Sequence, residues 1–121
     1  MARASNTFYN QALDGSNTST AVLTALCLAV GDPGTTGANE NANSGSYARQ
    51  SATMASASSA SKATSASNTW STGGTVAVTH AFWASSTTYG GGTYGIGLVL
   101  AASVTASSIT AASGALSIAA T

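Results

Sequence analysis

Few residues of this chain can do chemistry, and their spacing narrows what chemistry is open. The formal charges are Arg3, Asp14, Asp32, Glu40, Arg49 and Lys62, and the chain has one histidine, His80, and one cysteine, Cys27. A general base needs a suitable pKa and a second group that orients it. His80 is the only candidate, and no second titratable group lies near it in sequence. Its place between Val78 and Phe82 in an alternating run reads as a packed histidine. Metal binding needs several converging ligands, and this set is poor. Asp32 and Glu40 lack the alternating carboxylates of a calcium loop. Cys27 lies in an apolar run and reads as a small buried hydrophobe. Residues Gly90 to Gly95 fit G-x-G-x-x-G, but that signature needs a strand before it and a helix after it. Here a strand pattern follows, so the glycines read as a turn. The expectation is a protein that is not an enzyme and uses neither cofactor nor metal.

The bulk of the chain is built for packing. Ala, Ser and Thr fill 64 of 121 positions, whereas Val, Ile, Leu, Met, Phe, Trp and Tyr together fill only 26. Each large apolar side chain contributes about 1.5–3 kcal/mol when buried. Ordering a chain of this length opposes that with a term on the order of 100 kcal/mol. A lone domain with so thin a core is marginal, and association supplies further burial. Net charge is zero, which removes the repulsion that keeps soluble monomers apart. Leu, Ile, Val and Phe total only 18, a level that also fits disorder, but the high net charge of disordered chains is missing. Three scattered cations cannot neutralise a run of phosphates, so nucleic acid is not an expected partner. No apolar run approaches the ~18 residues of a membrane helix. The N-terminal residues lack the apolar core of a signal peptide, and Asn17-Thr18-Ser19 reads as a chance match to a glycosylation acceptor. A single cysteine excludes an intrachain disulfide.

These residues must be positioned by strands and turns. Residues 5–14 predict one short helix, with Ser5 or Asn6 as cap and Phe8/Ala12 and Tyr9/Leu13 spaced i, i+4. Residues 23–30 form an apolar run closed by Gly31 and Pro33, as in a buried strand. A long loop follows over 31–46, then a strand from Tyr47 to Met54. The stretch 55–69 reads as a thin edge strand or a mobile connection. In 75–83, alternation puts Val76, Val78, His80 and Phe82 on one face and Thr75, Ala77, Thr79 and Ala81 on the other. After the 90–92 turn, Tyr94, Ile96, Leu98 and Leu100 share a face, with Gly95 and Gly97 opposite, where a neighbour approaches closely. Two last strands lie near 103–110 and 115–120, with Leu116, Ile118 and Ala120 on one face. Short strands at intervals of about 8–12 residues predict a single all-β domain over 1–121, a β-sandwich or barrel with one N-terminal helix. Trp70, Trp83, Tyr89 and Tyr94 are anchors for a core or subunit interface, or else a sugar platform.

One segment is distinctive. Leu26-Cys27-Leu28-Ala29-Val30 leads into Gly31-Asp32-Pro33-Gly34-Thr35-Thr36-Gly37-Ala38-Asn39-Glu40, and Gly45-Ser46-Tyr47-Ala48-Arg49-Gln50 follows. Pro33 presets a turn, and Gly34 and Gly37 tolerate positive φ. Asp32 can accept backbone N–H bonds within that turn. Arg49, where the next strand starts, can pair with Glu40 or Asp32 across the loop as a structural clip, of more value if desolvated.

This pattern resembles a family of small phage virion proteins, often labelled tail fibre proteins, with an "LYLAL" strand, then "DPG-x-TG-x-NE", then "G-x-YAR". Thr79-His80 is similar to a Thr-His pair before the later strands of that family. The chain departs from the pattern in its Ala/Ser/Thr-rich stretch and in the 84–95 loop. The resemblance implies a jelly-roll-like sandwich, a virion structural role and no catalytic residues. With one short domain, no fibre repeat and few charges, the expected role is capsid decoration or cement. The expected partner is the major capsid protein and the expected oligomer a trimer. A tail fibre or tail-tip component that binds a receptor or glycan is the alternative.

Overall fold

The computed structural model describes residue 14 and residues 23–41, 46–73 and 77–119. Among these residues strands dominate, and all strand pairing is antiparallel. The strands are β1 (Ala25–Ala29), β2 (Gln50–Ser51), β3 (Ser61–Ala63), β4 (Asn68–Ser71), β5 (Val78–Ala84), β6 (Tyr94–Val104), β7 (Ser108–Ala111) and β8 (Ser117–Ala119). They build a four-stranded sheet in the order β2-β1-β5-β6 and two ribbons, β3–β8 and β4–β7. The all-β class read from the sequence is the one observed. Of the expected helix over 5–14 only Asp14 is described, and it is helical; the rest lies outside the described residues.

The apolar run predicted for 23–30 contains β1, and every residue of Ala25–Ala29 is buried. Its Leu26 and Leu28 enter the main core with Ala81 and Trp83 of β5, Trp70 of β4, and Leu116 and Ile118 at β8. That shared cluster joins the large sheet to both ribbons. On the other face, Cys27 and Ala29 meet Phe82, Ala84 and Tyr94. Each buried Leu, Phe or Ile here contributes about 1.5–3 kcal/mol. The strand expected over 47–54 is shorter than predicted, because only Gln50 and Ser51 pair with β1 and Met54 makes an isolated bridge to Thr64. The Ala/Ser/Thr stretch 55–69 carries β3 and the start of β4.

Simple alternation fails in the two longest strands. Between Phe82↔Gly97 and Ala84↔Tyr94 the register shifts, with Gly95 and Ile96 opposite Trp83 alone. Such a bulge moves the following side chain to the other face. Tyr94 therefore packs on Phe82, whereas Leu98 and Leu100 pack on the main core. A second shift lies between Val78 and His80, and it places Val78 in the main core with Ala81 and Trp83. The shared face expected for Val78, His80 and Phe82 is thus corrected, as is the one expected for Tyr94, Leu98 and Leu100. Val76 and Ala120 lie outside the described residues, and Leu116 and Ile118 are buried together as predicted.

Candidate functional site

The loop after β1 returns to the strand it left. Val30 N–H donates to Asn39 O at 2.9 Å, Asn41 N–H donates to Leu28 O at 2.8 Å, and Glu40 bridges Ala29. Asp32 Oδ1 accepts from Gly34 N–H at 2.8 Å, the turn expected of it. Gly37 and Ala38 N–H both donate to Pro33 O. Gly34 and Gly37 have φ of 59° and 76°, the left-handed region that glycine enters without steric cost. A Cβ on Gly37 would meet Phe82 and Tyr94 at 3.4 and 3.5 Å, so this turn is seated on the second face of the sheet.

That return delivers Glu40 to Arg49. Arg49 Nε donates to Glu40 Oε1 and Nη2 to Glu40 Oε2, both at 2.8 Å. The side chains are only 4% and 7% exposed. Arg49 Nη1 donates to the carbonyls of Ser86 at 2.8 Å and Gly91 at 2.9 Å, which ties in the β5–β6 loop. Tyr47 Oη donates to Glu40 Oε1 at 3.0 Å and accepts from Leu28 N–H at 3.0 Å. The guanidinium also stands 5.9 Å from the Phe82 ring centre. Bidentate, charge-assisted bonds of this kind are the strong ones. The Glu40 bonds raise Arg49 further above the ordinary arginine range. Burial raises the Tyr47 hydroxyl well above an ordinary phenol. Burial also pushes the neighbouring Cys27 thiol up to about 12. Glu40 is the clip partner of Arg49, and Asp32 is not. Sequence reasoning missed the Ser86 and Gly91 carbonyls, because main-chain acceptors leave no signature.

A second ion pair lies in the neutral-looking stretch. Lys62 Nζ donates to Asp14 Oδ1 at 2.7 Å and to Ala55 O at 2.8 Å, and the same Asp14 oxygen accepts from Ala57 N–H. Its bond to Lys62, then the one to Ala57, holds the Asp14 carboxyl below the usual carboxylate range. Among the described residues, two ion pairs are therefore formed.

The remaining chemistry converges on a shallow cavity of about 200 Å³. It is lined by Asp32, Pro33, Gly34, His80, Tyr94, Gly97, Leu98 and Val99. Strand pairing brings His80 and Tyr94 to this face, and the 31–34 turn adds Asp32. His80 thus has titratable neighbours in space that its sequence context does not show. Its Nδ1 is 2.7 Å from Thr79 Oγ1. Burial, then the Asp32 charge, raises the Tyr94 hydroxyl. Gly97 is the close approach expected of it, since a Cβ there would sit 2.9 Å from Pro33 Cγ and 2.8 Å from Tyr94 Oη. Among the described residues no three His, Cys, Asp or Glu side chains group as metal ligands.

Trp70 and Trp83 are both fully buried in the main core. Their burial leaves neither of them free to serve as an interface contact or sugar platform in the folded chain. Trp70 Nε1 donates to Leu26 O at 3.3 Å, and Trp83 Nε1 has no acceptor among the described residues. Tyr89 remains exposed and meets the Tyr47 ring edge-on at 6.2 Å. The Gly90-Gly91-Gly92 segment is a turn into β6, with positive φ at Gly90 and Gly92.

Comparison with known proteins gives no matching family model, no matching curated protein and no matching solved structure. The family expectation rests on residues 26–50.

Proposed function

We propose that this chain is a non-enzymatic structural protein of a bacteriophage particle, a capsid decoration protein with a jelly-roll-like β-sandwich. One observation carries this reading. The distinctive polar residues of the 26–50 segment are turned inward on each other, with Glu40, Tyr47 and Arg49 forming one buried network. Groups held in that way fix a loop and are not offered to a substrate. The half of the chain after Lys62 offers a neutral surface, since it carries no formal charge. Such a surface suits permanent contact with other proteins, the depletion of charge being typical of interface cores. The proposed partner is the major capsid protein.

Immunogold labelling of intact particles, with copy number from quantitative mass spectrometry, tests this. Label over the shell at copy numbers comparable to its subunits is the expected result. Label confined to the tail tip overturns the capsid placement, and absence from the particle overturns the virion reading.

The cavity of Asp32, His80 and Tyr94 favours a second reading, a tail component that binds a glycan. A carboxylate, an imidazole and a phenol in one recess can accept and donate to sugar hydroxyls. Glycan-array binding lost on Asp32→Ala supports it, and an array with no binding overturns it.

A further inference from the structure

The outer edge of β6 is the least protected feature of the fold. Among the described residues, β6 ends the four-stranded sheet and pairs only with β5. It runs eleven residues, Tyr94–Val104, and contains neither a charged residue nor proline. Natural sheets blunt such edges with lysine, proline or inward-pointing charge, because a free row of N–H and C=O groups templates another strand. Here lysine, proline and charge are missing from the strand, and two large apolar side chains, Val99 at 72% and Ile96 at 41% exposed, stand on it. β6 does carry two register shifts against β5, a twist that blunts an edge in part, but Gly97, Leu98 and Val99 between them pair in regular register.

We propose that the β6 edge pairs antiparallel with the β6 edge of a second copy, about a two-fold axis at Val99. Several observations favour a second copy as the occupant. The strand is neutral, so two copies meet without like-charge repulsion. Val99 is its middle residue, so a pair centred there gives the two strands their greatest overlap. Val99 then stands opposite Val99 of the second copy, and Leu98 opposite Leu100. The exposed Val99 side chain is covered by its own equivalent. The contact is isologous and closed, joining two four-stranded sheets into one of eight strands. It differs from the three-fold assembly expected from the sequence, and it stands on the fold alone, independent of the virion reading.

Size-exclusion chromatography with light scattering on the full chain tests the assembly. The expected mass is twice the 11.7 kDa of one chain. Val99→Lys, at an exposed position, is expected to give a monomer with unchanged circular dichroism. Val99→Cys is expected to form an interchain disulfide on mild oxidation, because directly opposed antiparallel residues have Cα atoms about 4.5–5.5 Å apart, within disulfide reach. Ala101→Cys, offset from the axis, is expected not to. Cys27 is buried and does not compete. A monomeric wild type, a trimer, or a dimer that survives Val99→Lys overturns the proposal. Preferential cross-linking through Ala101→Cys overturns the register. A monomer that enlarges only with another particle protein overturns self-pairing and gives the edge to that protein. Copy number in the particle is measured separately, so failure here and failure of the virion reading are distinguishable.

Discussion

Arg49 Nη1 donates to the carbonyl of Gly91 at 2.9 Å, across 42 residues of chain. The same guanidinium grips Glu40 with two bonds. One side chain therefore holds together the loop after β1 and the loop between β5 and β6.

Removing either partner leaves a buried charge without its counterpart. Glu40→Gln and Arg49→Met are each expected to cost about 3–5 kcal/mol, and the double variant less than their sum. Arg49→Lys is expected to behave as a loss, since an ammonium cannot reproduce the fork. Urea denaturation of the wild type and the four variants measures all of this.

Alkaline pH is expected to weaken the fold through Cys27. Its thiol is raised from 9.0 to about 12 by burial. Below pH 9 it is neutral in both states and its contribution is unchanged. Above pH 9 the unfolded thiol ionises and the folded one does not, so stability falls as pH rises toward 12. The loss from this group reaches about 1.4 kcal/mol by pH 10. Cys27→Ala is expected to flatten that limb of the stability curve, as read by thermal melts from pH 8 to pH 10.5.

The two tryptophans separate packing from hydrogen bonding. Trp70→Phe removes a donor to Leu26 O, whereas Trp83→Phe removes an N–H that has no acceptor among the described residues. Trp70→Phe is therefore expected to be more destabilising than Trp83→Phe by about 1 kcal/mol, beyond the loss of volume common to both. Paired melts measure the difference.

A gain is expected in the tight turn between Ser58 and Ser61. Ser59 and Ala60 both have positive φ, 52° and 60°. A two-residue hairpin turn of this type favours Asn-Gly. Replacing Ser59 with Asn and Ala60 with Gly is expected to stabilise the chain by about 1–2 kcal/mol. An unchanged midpoint in urea sinks this account of the turn.

Gly97→Ala is expected to unseat the 31–34 turn. The new methyl would meet Pro33 Cγ at 2.9 Å and Tyr94 Oη at 2.8 Å. Overpacking of that kind costs about 1–3 kcal/mol. Chemical shifts of Pro33 and Tyr94 are expected to move most.

How legible all this was in the sequence depends on range. β1 was readable because its apolar run is closed locally by Gly31 and Pro33. A clip from Arg49 to Glu40 or Asp32 was readable because all three residues fall in one short segment with the turn between them, whereas the choice of Glu40 is set by the loop's return to β1. Lys62 and Asp14 lie 48 residues apart, and no spacing rule connects them. The recess of Asp32, His80 and Tyr94 is assembled from three segments by strand pairing. The faces of β5 and β6 were misread because register shifts break alternation without a marker in residue type.

The pairing pattern also governs time. β3 closes on β8 through Ser61↔Ala119, and β4 on β7 through Asn68↔Ala111. Neither ribbon can form until nearly all of the chain is present. Folding dominated by such distant partners is slow, on the order of milliseconds to seconds. During synthesis, the uncharged β6, which ends at Val104, is therefore made before the residues that finish β8 at Ala119. Productive yield at high expression will be set by how often that strand meets another chain in this interval.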